Sequence, residues 1–341
     1  MIKDKKLNFL YGLILGVALF SCSQEDMIGP DVNELYGDLK VTESITVNND
    51  TVNFASGETV SFQAKFEKEA IWKLTATSKN NGAIWTAEGA GKEISDANAL
   101  WKGESDDLPW FPAGPVDVIV TFPQHKDTLA TTIYIEVPMN HDKGAVLIAD
   151  FSVAPISPVL SETGWPSEWP TTSIFYSNYP QPDGTRYLFM EGNAWQGSPW
   201  GPTVFNTSPP FSPFIDILKI DANKMQNGYG ETLPLYADPS RVYFNIMVYN
   251  TGSQYARLQV KLYESNNQTR TLDITPTWTG WKMVTVKYNE FEGTSTPSPS
   301  SVWRVEFLLF SNAPAAILND PSNKVSAAFD HPAFTFDREL D

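Results

Sequence analysis

The chain has 341 residues, enough for two domains, with 42% hydrophobic and 13% aromatic residues and a formal net charge of −16 at pH 7. That charge argues against nucleic acid and against a polybasic membrane face, because phosphates would be repelled. The aromatic content calls for a large β core or for exposed stacking surfaces.

The N-terminus reads as an export signal. Lys3, Lys5 and Lys6 precede an apolar run from Leu7 to Phe20, too short and too abruptly ended for a membrane span, so residues 1–21 are a predicted signal peptide. Cys22 is the single cysteine, which leaves no intrachain disulfide to explain it. Leu19-Phe20-Ser21-Cys22 resembles a bacterial lipobox, with Phe20 bulkier than usual, and the resemblance implies that Cys22 is lipidated. Ser23-Gln24-Glu25-Asp26 resembles the acidic export signal of Bacteroidetes surface lipoproteins. It implies an outer-membrane protein, lipid-anchored and facing the cell exterior, with 22–36 as a polar tether.

From Leu39 the chain alternates apolar and polar residues through LKVTESITV, ETVSFQAKF, AIWKLTATS, PVDVIVTF and DTLATTIYIEV. Asn48-Asn49-Asp50, Ser56-Gly57, Asn80-Asn81-Gly82 and Gly114-Pro115 punctuate these runs. Short strands at this spacing predict an immunoglobulin-like β-sandwich over 37–140. The stretch from Ala99 to Gly114 resembles polycystic-kidney-disease-type repeats, which serve as spacers or interaction surfaces.

Pro138 to Gly144 reads as a boundary, and Gly144-Ala-Val-Leu-Ile-Ala-Asp150-Phe151 opens a second domain over 144–341. Residues 155–213 are crowded with Pro, Gly, Ser and aromatics around one predicted strand at 186–192. Alternation then returns. Val242, Phe244, Ile246 and Val248 share one phase, and Leu258, Val260 and Leu262 another, opposite Arg257, Gln259 and Lys261. This is the pattern of half-buried antiparallel strands, so the whole chain is predicted all-β.

Four stretches resemble the jelly-roll superfamily of carbohydrate-binding modules and galactose-binding-like domains. They are Leu147-Ile-Ala-Asp-Phe151, Asp183-Gly-Thr-Arg-Tyr-Leu188, Gly280-Trp-Lys-Met-Val-Thr-Val286 and the closing Ala-Phe-Asp330-His-Pro-Ala-Phe. Taken whole, the chain is similar to an accessory glycan-binding lipoprotein of a Bacteroidetes polysaccharide-uptake locus. The resemblance implies a non-catalytic protein that captures poly- or oligosaccharide. The alternative is a structural lipoprotein that docks on an outer-membrane transporter or secretion complex. The resemblance also places Trp281 in the core. It further implies a structural Ca²⁺ held by Asp150 and Asp330. Only these two aspartates match, and capping or turn roles are the competing reading.

For chemistry, His125, His141 and His331 have no ligand spacing, and neither a Gly-x-Ser-x-Gly elbow nor a phosphate loop occurs. Catalysis is therefore not expected. Trp165, Trp169, Trp195 and Trp200 sit in GWPSEWP and GNAWQGSPWGP, and aromatic faces suit the apolar C–H patches of pyranose rings. Asn193 and Gln196 could bond sugar hydroxyls, with Tyr229 and then Tyr236 as further candidates. Each loop tryptophan could equally plug the open end of a sandwich.

Overall fold

The computed structural model describes residues 38–151, 162–163, 172–176, 179–183, 186–193, 214–225, 227–314, 324–338 and 340. The signal and tether with Cys22, and Trp165, Trp169, Trp195, Gln196 and Trp200, lie outside the described residues. The described chain is all-β, interrupted only by short 3-10 turns.

The N-terminal unit contains β1 (Val41–Val47), β2 (Thr51–Asn53), β3 (Val60–Ser78), β4 (Ile84–Ile94), β5 (Leu100–Trp101), β6 (Gly114–Thr121) and β7 (Thr128–Val137). Its spine is β3, which changes partners half-way. Residues of 60–66 pair with β1 and β5, and 73–78 pair with β6. The sequence reads as two strands there because Glu67, Lys68 and Glu69 are all exposed, and the register to β4 shifts between Lys65 and Ala70. The inward phase survives the shift: Phe62, Ala64, Phe66, Trp72, Leu74 and Ala76 are all buried. β2 pairs parallel with β7 while β1 pairs antiparallel with β3, so the first segment divides between two partners in the immunoglobulin-like manner expected. Strand β4 is absent from the sequence reading because IWTAEGAGKEI lacks clean alternation. Its Gly89 is required by close approach, since a Cβ there would lie 2.4 Å from the Trp72 ring. Trp101 fills the centre, 4.9 Å from Phe54, 5.6 Å from Trp85 and 4.6 Å from Phe111.

The C-terminal unit contains β8 (Val146–Leu147), β9 (Glu162–Thr163), β10 (Thr172–Tyr176), β11 (Tyr187–Asn193), β12 (Phe214–Asp221), β13 (Val242–Asn250), β14 (Ala256–Glu264), β15 (Gln268–Ile274), β16 (Gly280–Lys287), β17 (Val302–Ser311) and β18 (Lys324–Phe336). They form a six-stranded sheet, β10-β11-β18-β13-β16 with β8 on β18, and a five-stranded sheet, β15-β14-β17-β12-β9. After β13 the chain crosses to the second sheet for β14 and β15, returns for β16, crosses for β17 and returns for β18, which is the jelly-roll expected. Between the sheets lies one core that includes the predicted phases Val242, Phe244, Ile246, Val248 and Leu258, Val260, Leu262, each fully buried.

One expectation needs correction. β13 is not half-buried: on its outer side Asn245 and Met247 are also 0% exposed. The outer face of the six-stranded sheet carries Tyr187, Phe189, Met247, Trp281 and Ala328, and it is covered by Leu340 and by Trp110 with Leu108 of the N-terminal unit. The Trp110 amide donates to the Pro182 carbonyl at 2.5 Å. Its indole stacks on His141 at 3.7 Å and meets the edge of His331 at 5.1 Å. The segment after β7 is therefore no loose linker. Met139 packs against the N-terminal core, and Asp142 pairs with the buried His331.

Candidate functional site

Of the four sheet faces in the C-terminal unit, two enclose the core and a third lies under Trp110, which leaves the outer face of the five-stranded sheet. The alternation that sends Leu258, Val260 and Leu262 inward sends Arg257, Gln259, Lys261 and Tyr263 to this face. Across the register Tyr263 faces Arg304 and Lys261 faces Glu306 on β17, while Asp221 faces Arg304 and Lys219 faces Glu306 on β12. On the other flank Gln259 faces Asp273 of β15.

These side chains hold one another in place. Arg257 donates to Asp273 at 2.7 Å, and the Gln259 amide donates to the same carboxylate at 2.8 Å. Arg304 donates to Asp221 at 2.5 Å and lies 3.9 Å from Glu306, whose carboxylate accepts from the Tyr263 hydroxyl at 2.9 Å. Aromatic rings are interleaved with the charges. Trp303 meets Tyr263 edge to face at 5.7 Å with the Arg304 guanidinium 4.7 Å above it, Arg257 covers Phe310 at 4.6 Å, and Lys261 lies 4.8 Å from the Tyr263 centroid. Glu306 points away from the core yet is only 3% exposed, covered by its neighbours in the middle of the face. Burial, reinforced by the Glu306 charge against the pull of Lys261, raises the Tyr263 phenol above its usual value.

Planar polar groups fixed by mutual bonds, beside half-exposed aromatic rings, can bond ligand hydroxyls directionally and stack on apolar ring faces without first paying rotamer entropy. The sequence reading treated Arg257, Gln259 and Lys261 only as the polar phase of a strand. The signal available to it was the pairing of that phase with Trp303, Arg304, Glu306 and Phe310, which needs the register.

The predicted site residues are scattered. Asn193 ends β11 in the opposite sheet. Tyr229 packs against the sandwich core, its hydroxyl accepting from Asn227 at 3.1 Å. Tyr236 stands 41% exposed, stacked on Phe336 at 4.2 Å beneath Arg241. Trp281 is buried at 8%, but on the outer face of the six-stranded sheet under Trp110 and not in the core between the sheets where the resemblance put it, and its indole donates to Pro180. Asp150 and Asp330 both lie near the domain junction. There a cavity of about 380 Å³ is lined by Trp110, Phe111, Met139, Asp150, Asp183 and His331. Asp330 is 0% exposed; one carboxyl oxygen accepts from the His331 amide at 2.8 Å and the other is buried without a hydrogen-bond partner. Burial above all, then the charges of Asp183, Asp150 and Asp142, hold its carboxyl well above the usual carboxylate range. The orphaned oxygen suits a cation. Among the described residues, however, no group of three or more His, Cys, Asp or Glu side chains is placed to hold a metal ion. The donor set falls short of an oxygen cage.

No family model and no curated protein sequence matches the chain. Among solved structures it is similar to the family 11 carbohydrate-binding module of Clostridium thermocellum in complex with a β-1,3-1,4-mixed-linked tetrasaccharide. That pair has 11% identity and a TM-score of 0.33, and covers 57% of this chain and 98% of that one. A family 30 carbohydrate-binding module is 13% identical with a TM-score of 0.37, covering 59% and 93%. SGBP-B from a complex xyloglucan utilization locus in Bacteroides uniformis is 12% identical with a TM-score of 0.36, covering 87% of this chain and 73% of that one.

Proposed function

We propose that this chain is a non-catalytic glycan-binding protein whose binding surface is the outer face of the five-stranded sheet. We propose further that Cys22 anchors it by lipid to the outer membrane, facing the exterior, where it captures polysaccharide for uptake. The observation that carries the reading is the interleaving of rings and paired charges: Trp303 and Tyr263 offer ring surface beside the bonded pairs Arg257–Asp273 and Arg304–Asp221. Of the predicted tryptophans, Trp165 follows β9 of this sheet by two residues, whereas Trp169 precedes β10 by three and Trp195 follows β11 by two, both strands of the opposite sheet. Affinity electrophoresis through polysaccharide gels tests the surface. Migration is expected to be retarded, and the retardation lost in Trp303→Ala and Tyr263→Ala. Unretarded migration, with an outer-membrane protein co-purifying, would instead favour the docking role. For the anchor, Cys22→Ser is expected to abolish labelling by a palmitate analogue and release the protein from membranes; persistent labelling refutes it.

A further inference from the structure

We infer that the glycan taken on this face is uncharged. The inference rests on the reading of the face as a glycan site and concerns which class of glycan it admits.

Among the described side chains the face carries four cations, Lys219, Arg257, Lys261 and Arg304, and three carboxylates, Asp221, Asp273 and Glu306, and the register sets a further acidic residue, Glu162 of β9, opposite Lys219. The three carboxylates are engaged inside the face. Asp273 takes Arg257 and Gln259, Asp221 takes Arg304 at 2.5 Å, and Glu306 takes Tyr263 with Arg304 at 3.9 Å. A uronate or sulfate ester would need a cation to itself, whereas Lys219 and Lys261 both stand opposite Glu306 across the register and each guanidinium fork already holds a carboxylate. At such a fork it would have to displace a carboxylate already bonded there, and at Arg304 it would leave Asp221 part-buried and unpaired. Polyanions also meet the field of a chain with net charge −16, which slows their approach. Neutral hydroxyls face neither penalty. Each carboxylate oxygen has more than one acceptor site, and a guanidinium has five N–H donors, so hydroxyls can add to the pairs without breaking them. The pairs thus act as fixed, nearly neutral hydrogen-bonding plates between the rings of Tyr263, Trp303 and Phe310.

The test compares gels containing uncharged glucans, mannans and xylans with gels containing polygalacturonate or alginate, at low and physiological salt. Retardation is expected in an uncharged gel, changing less than about twofold with salt, and none in the charged gels. The double variant Asp221→Asn, Asp273→Asn frees both guanidiniums and is expected to gain salt-sensitive retardation by polygalacturonate. Salt-sensitive retardation of the wild type by a polyuronate, abolished by Trp303→Ala, would overturn the inference and leave the face a glycan site. A double variant that gains nothing would overturn the charge argument as well. No retardation of the wild type in any gel would overturn the glycan reading, and this inference with it.

Discussion

The two outer faces of the C-terminal sandwich are made by strands of the same alternating kind, and they end in opposite chemistry. On the six-stranded sheet the outward side chains include Tyr187, Phe189, Met247 and Trp281, all under 9% exposed beneath Trp110 and Leu340. On the five-stranded sheet they are Arg257, Gln259, Lys261 and Tyr263 with Trp303 and Arg304, half-buried and bonded to one another. A jelly-roll has no reason of its own to treat its two sides differently. The N-terminal unit supplies the reason, because it needs one apolar face to dock on and leaves the other to solvent. Aromatic residues are rich on both sides, so aromatic content alone does not mark the binding surface. What marks it is aromatic rings interleaved with paired charges.

The largest effect that bears on this contrast is expected on the covered side. Phe244→Ala empties the core between the sheets and is expected to cost about 3–5 kcal/mol in denaturant unfolding. Trp281→Ala is expected to approach that loss although it lies outside the core, because its ring meets Tyr187 and Tyr249, each at 5.2 Å, under the N-terminal unit. A loss below about 1 kcal/mol for Trp281→Ala, the range of surface substitutions, would show that the covered face is not packed.

Next comes the docking residue. Trp110→Ala removes the side chain shared by His141, His331 and the outer apolar layer, and is expected to cost about 2–3 kcal/mol. Calorimetry is expected to show one transition in the wild type and two in the variant, with trypsin entering at Lys143 only in the variant. A wild type already melting in two steps would mean that the two units do not depend on each other.

Much of this was legible in the sequence, and the failures have physical causes. The inward phases of β13 and β14 follow from period-two alternation, because one side of each strand must be apolar to reach the core. The outward phase of β13 could not be assigned: Tyr243, Asn245, Met247 and Tyr249 look like a solvent face until a second unit is placed over them. Strand β4 was invisible because Gly89 makes room for Trp72, a contact 17 residues away in sequence. The candidate site was missed for a related reason. Arg257 and Asp273, or Arg304 and Asp221, become pairs only through strand register, and register across an 83-residue separation is not written in either segment.

Smaller again is the effect at Asp330, behind the covered face. Its folded pKa is raised, so its contribution to stability is complete below the unfolded value, near 3.9, and is lost as pH rises towards the folded value. Asp330→Asn puts a neutral group there and is expected to raise Tm by a few degrees at about pH 8, with the difference vanishing near pH 3. A variant that melts lower than wild type at about pH 8 would contradict a raised pKa at Asp330. If millimolar Ca²⁺ raises the wild-type Tm and leaves the variant unchanged, a cation with Asp150 and Asp330 takes the place of the proton.

The smallest stability effect is expected on the open face, and there the contrast between the two faces becomes quantitative. Trp303 contacts Tyr263 at its edge and Arg304 above its plane, but its ring is only half-buried and it belongs to neither sheet's core. Truncation removes little packed volume and leaves no closed cavity, so Trp303→Ala is expected to shift stability by less than about 1 kcal/mol. Binding responds differently. An aromatic platform that covers a sugar ring buries on the order of 80 Å² of apolar surface, and at about 25 cal/mol per Å² its loss weakens affinity by about 2 kcal/mol, roughly thirtyfold. Trp281→Ala is expected to give the reverse pattern, a large fall in stability with binding intact in whatever fraction remains folded. Measuring both variants by thermal melt and by retardation in the same polysaccharide gel separates the two faces without knowledge of the ligand's identity. Equal stability losses for Trp303 and Trp281 would make the open face a second packed layer and remove the surface on which a glycan could lie.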